Sequence, residues 1–408
     1  MTYREIITTA VAEQFHWQVQ FLQKLVQAKS VNPFPADHSL PDVPIETEVA
    51  AVIRDELASL GFPSQLAGVS PQRSNVLSHV RGSGNSKKTL LLTTHMDTVE
   101  PSNYTRDPWQ AHLEHGRLYG VGAGDAKAQI AAFLYAVSAL RKAALPVNGD
   151  IVLAFVVDEE PGACSAYGTR YLLEQGLLTG DAAIVGEPGD EKIAIGHRGL
   201  YRFRLRTQGE AVHTGMKVWE QGTKGHNAII DMARIIVALT DCHLPVVHSA
   251  AFPHRKQVFT FPTLIQGGSG INIVPGGCEA YGDVRLLPGT SSQEIRKCIT
   301  TLLDQRALTN YHLEDILFVP AAETDPESPI VSALSEAVKA VTGVSLRKEG
   351  SGPACDGWMF ITRGIPTICG YGVKCGGVHG ADEWADLESF QKITEVYAHT
   401  ILRYFEQE

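Results

Sequence analysis

The chain has 408 residues, of which 44% are hydrophobic and 20% charged, and it carries a formal net charge of −10. This length is enough for two domains with substantial cores, and the composition is that of a globular protein. The negative balance, with no run of Lys or Arg, argues against a nucleic-acid partner, and surplus carboxylates are compatible with a metal site. The seven cysteines are Cys164, Cys242, Cys278, Cys298, Cys355, Cys369 and Cys375. Their spacing is irregular and contains no C-x-x-C, so neither a disulfide framework nor a thiolate zinc site is indicated. The N-terminus, with Arg4, Glu5 and Glu13, has no secretory pattern, and no segment reaches the length of a membrane span. The expectation is a cytoplasmic protein without a membrane partner.

In chain order, Ile6, Ile7, Val11, Phe15, Val19, Leu22, Leu25 and Val26 recur at helical spacing and predict an amphipathic helix over 3–28, which Asn32-Pro33-Phe34-Pro35 ends. A second helix over about 45–60 stops at Gly61. Strands follow near 74–80 and 88–95, then a long loop through Pro101, Pro108 and Trp109 leads to Gly120-Val121-Gly122-Ala123-Gly124-Asp125. A helix over about 126–143 precedes an apolar strand over 151–157, which runs into Asp158-Glu159-Glu160. Helix 165–175 and strand 182–185 repeat the pattern and run into Gly186-Glu187-Pro188. Strands alternating with helices imply a mostly parallel mixed sheet with helices on both faces.

The pattern changes near residue 197. Alternating strands over 200–207, 256–265 and 272–286 occur with helices over about 225–240 and 291–305, a mix that implies a smaller α+β domain. Helices over 328–342, 356–363 and 386–405 and a short strand over 366–369 return to the first grammar. The expected architecture is α/β: a discontinuous catalytic domain over 1–196 and 315–408, interrupted by an inserted α+β lid over 197–314.

Chemistry collects where apolar segments stop: His95 and Asp97, Asp125, Glu159 and Glu160, and Glu187. In open α/β sheets ligands lie beyond the carboxyl ends of the strands. Ionised groups at the edge of an apolar core are costly unless paired or metal-bound, and a cluster this acidic has a negative excess that divalent ions neutralise. If His95 holds a metal through one ring nitrogen, the other needs an acceptor, for which Asp97 is placed. The glycines before Asp125 suggest a nucleotide loop at first sight. They lack the full G-x-G-x-x-G, and the adjoining carboxylate would repel a phosphate.

HMDTV, LYGVGAGDAK, VVDEE and VGEP, in this order, resemble the M20 family of dinuclear zinc peptidases and amidohydrolases, which includes acetylornithine deacetylase, succinyl-diaminopimelate desuccinylase and glutamate carboxypeptidases. The resemblance covers essentially the whole chain and implies a zinc-exopeptidase-like catalytic domain with a lid. It implies two zinc ions, with cobalt or manganese as substitutes. His95 and Glu187 would hold one ion, Glu160 and His379 the other, and Asp125 would bridge them. His379 lies in Val378-His379-Gly380-Ala381-Asp382-Glu383, where the family often reads HAPNE. Asp97 matches the partner of His95, and Glu159 the general base in amide hydrolysis by zinc-held hydroxide. A cis peptide is implied at Asp125-Ala126, although Ala126 replaces the usual Met and Val121 the usual Arg.

In the inserted domain, Gly209-Glu210-Ala211-Val212-His213-Thr214-Gly215 resembles the lid segment whose His stabilises the oxyanion, commonly from the partner subunit of a homodimer. The following loop, to Asn227, is longer than in typical members. Asn272 and Arg285 match residues that bind the substrate's carboxylate or carbonyl; the competing role for Arg285 is pairing with Asp283. Asp356, in Gly350-Ser351-Gly352-Pro353-Ala354-Cys355-Asp356-Gly357-Trp358, either contacts substrate or caps the helix it opens. The expected activity is hydrolysis of an N-acyl amino acid, with a di- or tripeptidase or carboxypeptidase as the alternative. A catalytically inactive binding protein of the same fold is the remote one. The partners are thus a small N-acyl amino acid or short peptide and, through the lid, a second copy of the chain.

Overall fold

The structure, a computed structural model, describes residues 2–32, 44–160 and 165–406. The Pro33-Phe34-Pro35 break and Cys164 lie outside the described residues. The chain forms two compact units, one combining the residues up to His197 with those from Glu323 onward, the other Arg198–Ala322.

The first unit is built on a six-stranded sheet ordered Gln65–Ser70, Arg73–Val80, Asp150–Val156, Thr89–His95, Ala182–Val185, Thr367–Ile368. The first two pairings are antiparallel and the other three parallel, so the sheet is mixed. Leu90, Leu91 and Leu92 are buried because Thr89–His95 has a strand on either side and helices over both faces. On one face Leu91, Val152 and Ala183 pack with Leu172 and Phe360, from the helices Thr169–Glu174 and Gly357–Ile361. On the other, helix Ala128–Lys142 lies on the sheet and is itself flanked by Tyr3–Gln27 and Leu387–Glu406. The Phe133 and Tyr397 rings sit 4.5 Å apart, and Gln18 Nε2 donates to Thr394 Oγ1 at 2.7 Å.

Three parallel strands, Thr89–His95, Asp150–Val156 and Ala182–Val185, end at one edge of the sheet. That common direction carries His95, the 158–160 turn and Glu187 to the same side. The long loop after residue 100 is not wholly irregular. His112–Glu114 and Arg117–Tyr119 form a hairpin, and a four-stranded ribbon is completed by Trp384–Asp386 and Cys375–Gly376. Strands of two or three residues leave no periodicity in the sequence, so this ribbon was not predicted.

The second unit is a four-stranded antiparallel sheet ordered Val258–Gly267, Gly277–Leu286, Gly199–Gln208, His312–Val319. Tyr201, Phe203 and Leu205 alternate onto its inner face and pack with Met232 and Ile235 of helix Ala228–Leu239 and with Ile295, Ile299 and Leu303 of helix Ser292–Gln305. The strand expected from 272 begins only at Gly277. The stretch before it turns, with Ile273 N–H donating to the Gly270 carbonyl and Val274 N–H to that of Val212. His312–Val319, which straddles the expected 314/315 boundary, pairs with Gly199–Gln208 and so goes with this unit. The six described cysteines are all free thiols. Among the described residues no helix is long and apolar enough to cross a membrane.

Candidate metal centre

Five side chains predicted as ligands converge in the first unit. His95 ends its strand fully buried, and Asp125 leads into helix Ala128–Lys142 through a short π-type turn that contains a cis Asp125-Ala126 peptide. Glu160 follows the end of Asp150–Val156, Glu187 that of Ala182–Val185, and His379 lies in a turn between the ribbon strands Cys375–Gly376 and Trp384–Asp386. Ligand atoms of His95, Asp125 and Glu187 lie within 4.8 Å of one another, and so do those of Asp125, Glu160 and His379. Asp125 is therefore shared: its Oδ1 is 3.1 Å from His95 Nε2 and its Oδ2 3.3 Å from His379 Nε2, with Glu160 Oε2 3.0 Å from the same His379 nitrogen.

The tautomer of His95 follows from its neighbours. Nδ1 faces the backbone carbonyl of Asp97 at 3.0 Å and carries a proton, so that loss of the second proton, which Nε2 donates to Asp125 in the metal-free site, would turn the Nε2 lone pair toward a metal. The Asp97 carboxylate is farther from the ring, at 3.5 Å, and has another task. Its two oxygens accept the N–H groups of Glu159 and Glu160 at 3.2 and 3.1 Å, and Asn32 Nδ2 donates to it at 2.8 Å. Asp97 thus holds both the ring and the turn that presents Glu159 and Glu160.

The electrostatics call for positive charge. Burial, and then the nearby Glu187 carboxylate, hold Glu159 well above the usual carboxylate range. Burial and Asp125 do the same to Glu187. Burial also raises Glu160, although the hydrogen bond from His379 works against it. Hydrogen bonds to Asp125 and then Glu160 raise His379 to about 10. Burial disfavours charge on His95, but its bonds to Asp125 and Asp97 prevail and hold the ring well above the ordinary histidine range. Asp125 is held far below the carboxylate range: burial opposes its charge, and the bonds from His379 and His95 outweigh that. Glu160 Oε1 and Glu187 Oε1 are buried and have no hydrogen-bond partner among the described residues. Orphaned carboxylate oxygens, a bridging carboxylate and an imidazole in each triad are the donor set of a two-ion site of hard-to-borderline divalent metals.

Several further residues support this site in ways that the sequence does not show. Asn32 also reaches Asp158 Oδ1 at 3.4 Å. Asp158, whose φ of +68° is left-handed, is further tied by Arg73 at 3.5 Å, and Arg73 makes two bonds to Glu46 at 2.8 and 2.9 Å. All four are buried. Glu383, four residues after His379, accepts backbone N–H groups from the Gly120–Asp125 loop. Its place in the His379 motif is the one cue that could have marked it.

Asp356 is buried rather than presented to solvent, with Thr169 Oγ1 donating to its Oδ2 at 2.5 Å, and it makes no side-chain cap on the helix that follows. The three remaining predicted residues belong to the second unit. His213 Nδ1 accepts the Gly215 N–H at 3.0 Å, which leaves the proton of a neutral ring on Nε2; Asn272 Nδ2 lies 3.0 Å from Nε2, so that amide has to turn its oxygen to the ring to accept this proton. Arg285 Nε donates to Asp283 Oδ1 at 2.7 Å, and Arg202 takes the other oxygen at 3.3 Å.

A mixed sheet with two ligand triads sharing one aspartate at its edge defines the class: a hydrolase fold with a candidate two-metal centre. The model of a family described as Peptidase family M20/M25/M40 matches residues 91–403. A succinyl-diaminopimelate desuccinylase of Anaplasma marginale is 27% identical over 378 residues, covering 90% of this chain and 94% of that one. The M20 family metallo-carboxypeptidase Sso-CP2 of Sulfolobus solfataricus superposes with a TM-score of 0.74 at 18% identity, covering 97% of this chain and 99% of that one. The Bacillus subtilis YXEP protein, described as a dinuclear metal binding peptidase of the M20 family, does so with a TM-score of 0.68 at 16% identity, covering 97% and 100%. The chain belongs to the M20/M25/M40 peptidase family and is a hydrolase of amide or peptide bonds.

Proposed function

We propose that the protein hydrolyses the amide bond of an N-acyl amino acid, in the manner of a deacylase or desuccinylase, at a centre of two zinc ions. The observation that carries this reading is the pair of triads sharing Asp125, with Glu159 buried beside them and outside both. His95, Asp125 and Glu187 would hold one ion, and Asp125, Glu160 and His379 the other. When bound, the ions would supply Lewis acidity, polarising the scissile carbonyl and making water a nucleophile at neutral pH.

The chain's own groups manage the proton. Glu159 takes it from the attacking water and returns it to the leaving nitrogen, and with the second water proton also ending on that nitrogen, water and amide become a carboxylate and an ammonium group. Burial next to Glu187 raises its proton affinity in the metal-free site, and the charge of two bound ions would lower it again, so that Glu159 starts ionised and can take the proton. Asp97 fixes Glu159 through the backbone bond at 3.2 Å. From the second unit, His213 is the proposed oxyanion donor. The reading is supported by its Nε2 tautomer, since a donor aimed at developing negative charge is worth about 3–4 kcal/mol. Asn272 and Arg285 are the proposed contacts for the substrate carboxylate or carbonyl, Arg285 exchanging its bond to Asp283 for one to substrate. Asp356 is the remaining proposed substrate contact, and its burial against Thr169 means that it would have to exchange that bond to reach a substrate.

The alternative, a dipeptidase, tripeptidase or carboxypeptidase, uses the same metals and base. A panel of N-succinyl and N-acetyl amino acids against di- and tripeptides, with zinc added, separates the two. Turnover of acylated amino acids with little on free-amine peptides supports the deacylase, and the reverse overturns it. A homodimer through the second unit is also proposed. Its sheet ends in the edge strand Val258–Gly267, where Leu264 and Ile265 are exposed, and Ile229 and Ile230 of the neighbouring helix are exposed as well.

A further inference from the structure

The glycine-rich loop Gly120–Asp125 presents a row of N–H groups, and the partner of most of them is one residue. Glu383, 2% exposed, accepts Gly122 N–H on Oε2 at 2.9 Å and both Gly124 N–H and Asp125 N–H on Oε1 at 2.8 Å. Its backbone carbonyl takes Gly120 N–H at 2.9 Å. The spacing that invites comparison with a phosphate cradle is therefore filled from within, by a carboxylate in place of a bound anion.

The local chemistry admits little else. Three donors meet two oxygens, and only an ionised carboxylate accepts on both; an amide would set its own N–H against a backbone N–H. Gly122 is left-handed at φ +76°, and a Cβ on Gly124 would lie 2.5 Å from Cys375 Cβ and 3.4 Å from Glu383 Oε1. The loop can approach the carboxylate only because these positions are glycine. Glu383 is also close to His379 along a tight turn, in which Gly380 N–H donates to the Gly377 carbonyl at 2.9 Å and Gly377 is left-handed. One side chain therefore ties the loop of the shared ligand Asp125 to the turn of the ligand His379.

We propose that Glu383 is a positioning residue that keeps Asp125 and His379 in register and thereby sets the affinity of the ion held by Asp125, Glu160 and His379. This rests on the two-metal reading of the site. The effect is unequal between the two ions. His95 and Glu187 follow sheet strands fixed by their ladders, and Glu160 is fixed by Asp97. Without Glu383, one triad loses support for two of its three ligands and the other for only one.

The test is calorimetric titration of the metal-free protein with zinc, for the native chain, Glu383→Gln, Gly124→Ala and the double variant, with thermal melts alongside. Residues behind metal ligands typically matter by about 10–100-fold in affinity. The expected result is that Glu383→Gln weakens the second ion by about that factor and leaves the first within roughly threefold, while the chain melts at a lower temperature but still cooperatively, since a buried amide N–H is set against a backbone N–H. Gly124→Ala, which pushes the loop off an intact carboxylate, should do the same, and the double variant should add little because both act through the same bonds. Unchanged binding of both ions, equal weakening of both, or fully additive effects would overturn the proposal. Should Glu383→Gln fail to fold, Gly124→Ala alone decides, by the same split between the two ions. A native chain that does not take up two ions would instead remove the metal-centre reading itself.

Discussion

Without metal, a carboxylate buried beside other carboxylates holds a proton it would lose in water, and Glu159 is in that position; two bound cations would free it to act as a base. Glu159→Gln preserves its shape but cannot carry the proton. Both ions should still bind, and kcat should fall by about 10²–10⁴-fold, the usual worth of a positioned acid–base group. Activity within about tenfold of the native chain, at full metal content, would remove Glu159 from the proton path. The histidines make a second prediction. His379 is raised to about 10 and His95 well above the ordinary range, so in the metal-free protein both rings are protonated at neutral pH. Metal ligation needs the neutral ring, so binding displaces those protons and the apparent affinity falls as pH falls. Calorimetry in buffers of different ionisation enthalpy should show release of about two or more protons on filling both positions. Binding without proton release contradicts the assignment of these rings as ligands.

The C-terminal helix Leu387–Glu406 is the element with the clearest pH signature. His399 is buried on it, its Nε2 has no partner among the described residues, and burial followed by Arg403 and Arg4 lowers it from 6.5 to about 4. The folded state refuses the proton that the unfolded state accepts. The contribution to stability is therefore complete above about pH 6.5 and is lost as pH falls toward about 4. His399→Leu should flatten this acid limb: the melting temperature of the native chain drops more between pH 7 and 4.5 than that of the variant, and parallel curves would contradict it. Elements also mark what was legible in the sequence. Long periodic helices and the apolar runs ending in His95, Glu160 and Glu187 were legible because burial on a sheet leaves a continuous pattern. The antiparallel setting of Arg73–Val80 was not, because an apolar run does not encode its direction. Nor was the ribbon that holds the His379 turn, whose strands are too short to show a period. Four of the candidate ligands, His95, Asp125, Glu160 and Glu187, stood out because each is a charge at the end of an apolar segment, whereas His379 follows no such run and was marked only by the resemblance of its motif to the family's. Asn32, Glu46, Arg73, Asp158 and Glu383 did not stand out, because their meaning arises only from burial and from partners distant along the chain, as with Arg73 and Glu46.

For the whole molecule, the two units divide the labour: the first gathers the candidate ligands and base, and the second carries His213, Asn272 and Arg285 together with the exposed edge strand. If that edge joins two copies, the mass in solution by light scattering is twice 44.3 kDa. Replacing Leu264 and Ile265 together by Lys should then give the single-chain mass without loss of fold. A native chain that is monomeric at micromolar concentration would contradict the dimer and leave the metal centre untouched. The central claim concerns that centre, and its most direct test is amide hydrolysis by the metal-free protein as zinc is added in measured equivalents, with bound metal counted in the same samples. The account predicts that hydrolysis of an N-acyl amino acid or dipeptide appears with bound zinc and stops rising at about two ions per chain, as a two-metal centre requires. Hydrolysis that is complete without bound metal, or two bound ions with no turnover of any amide, would contradict it.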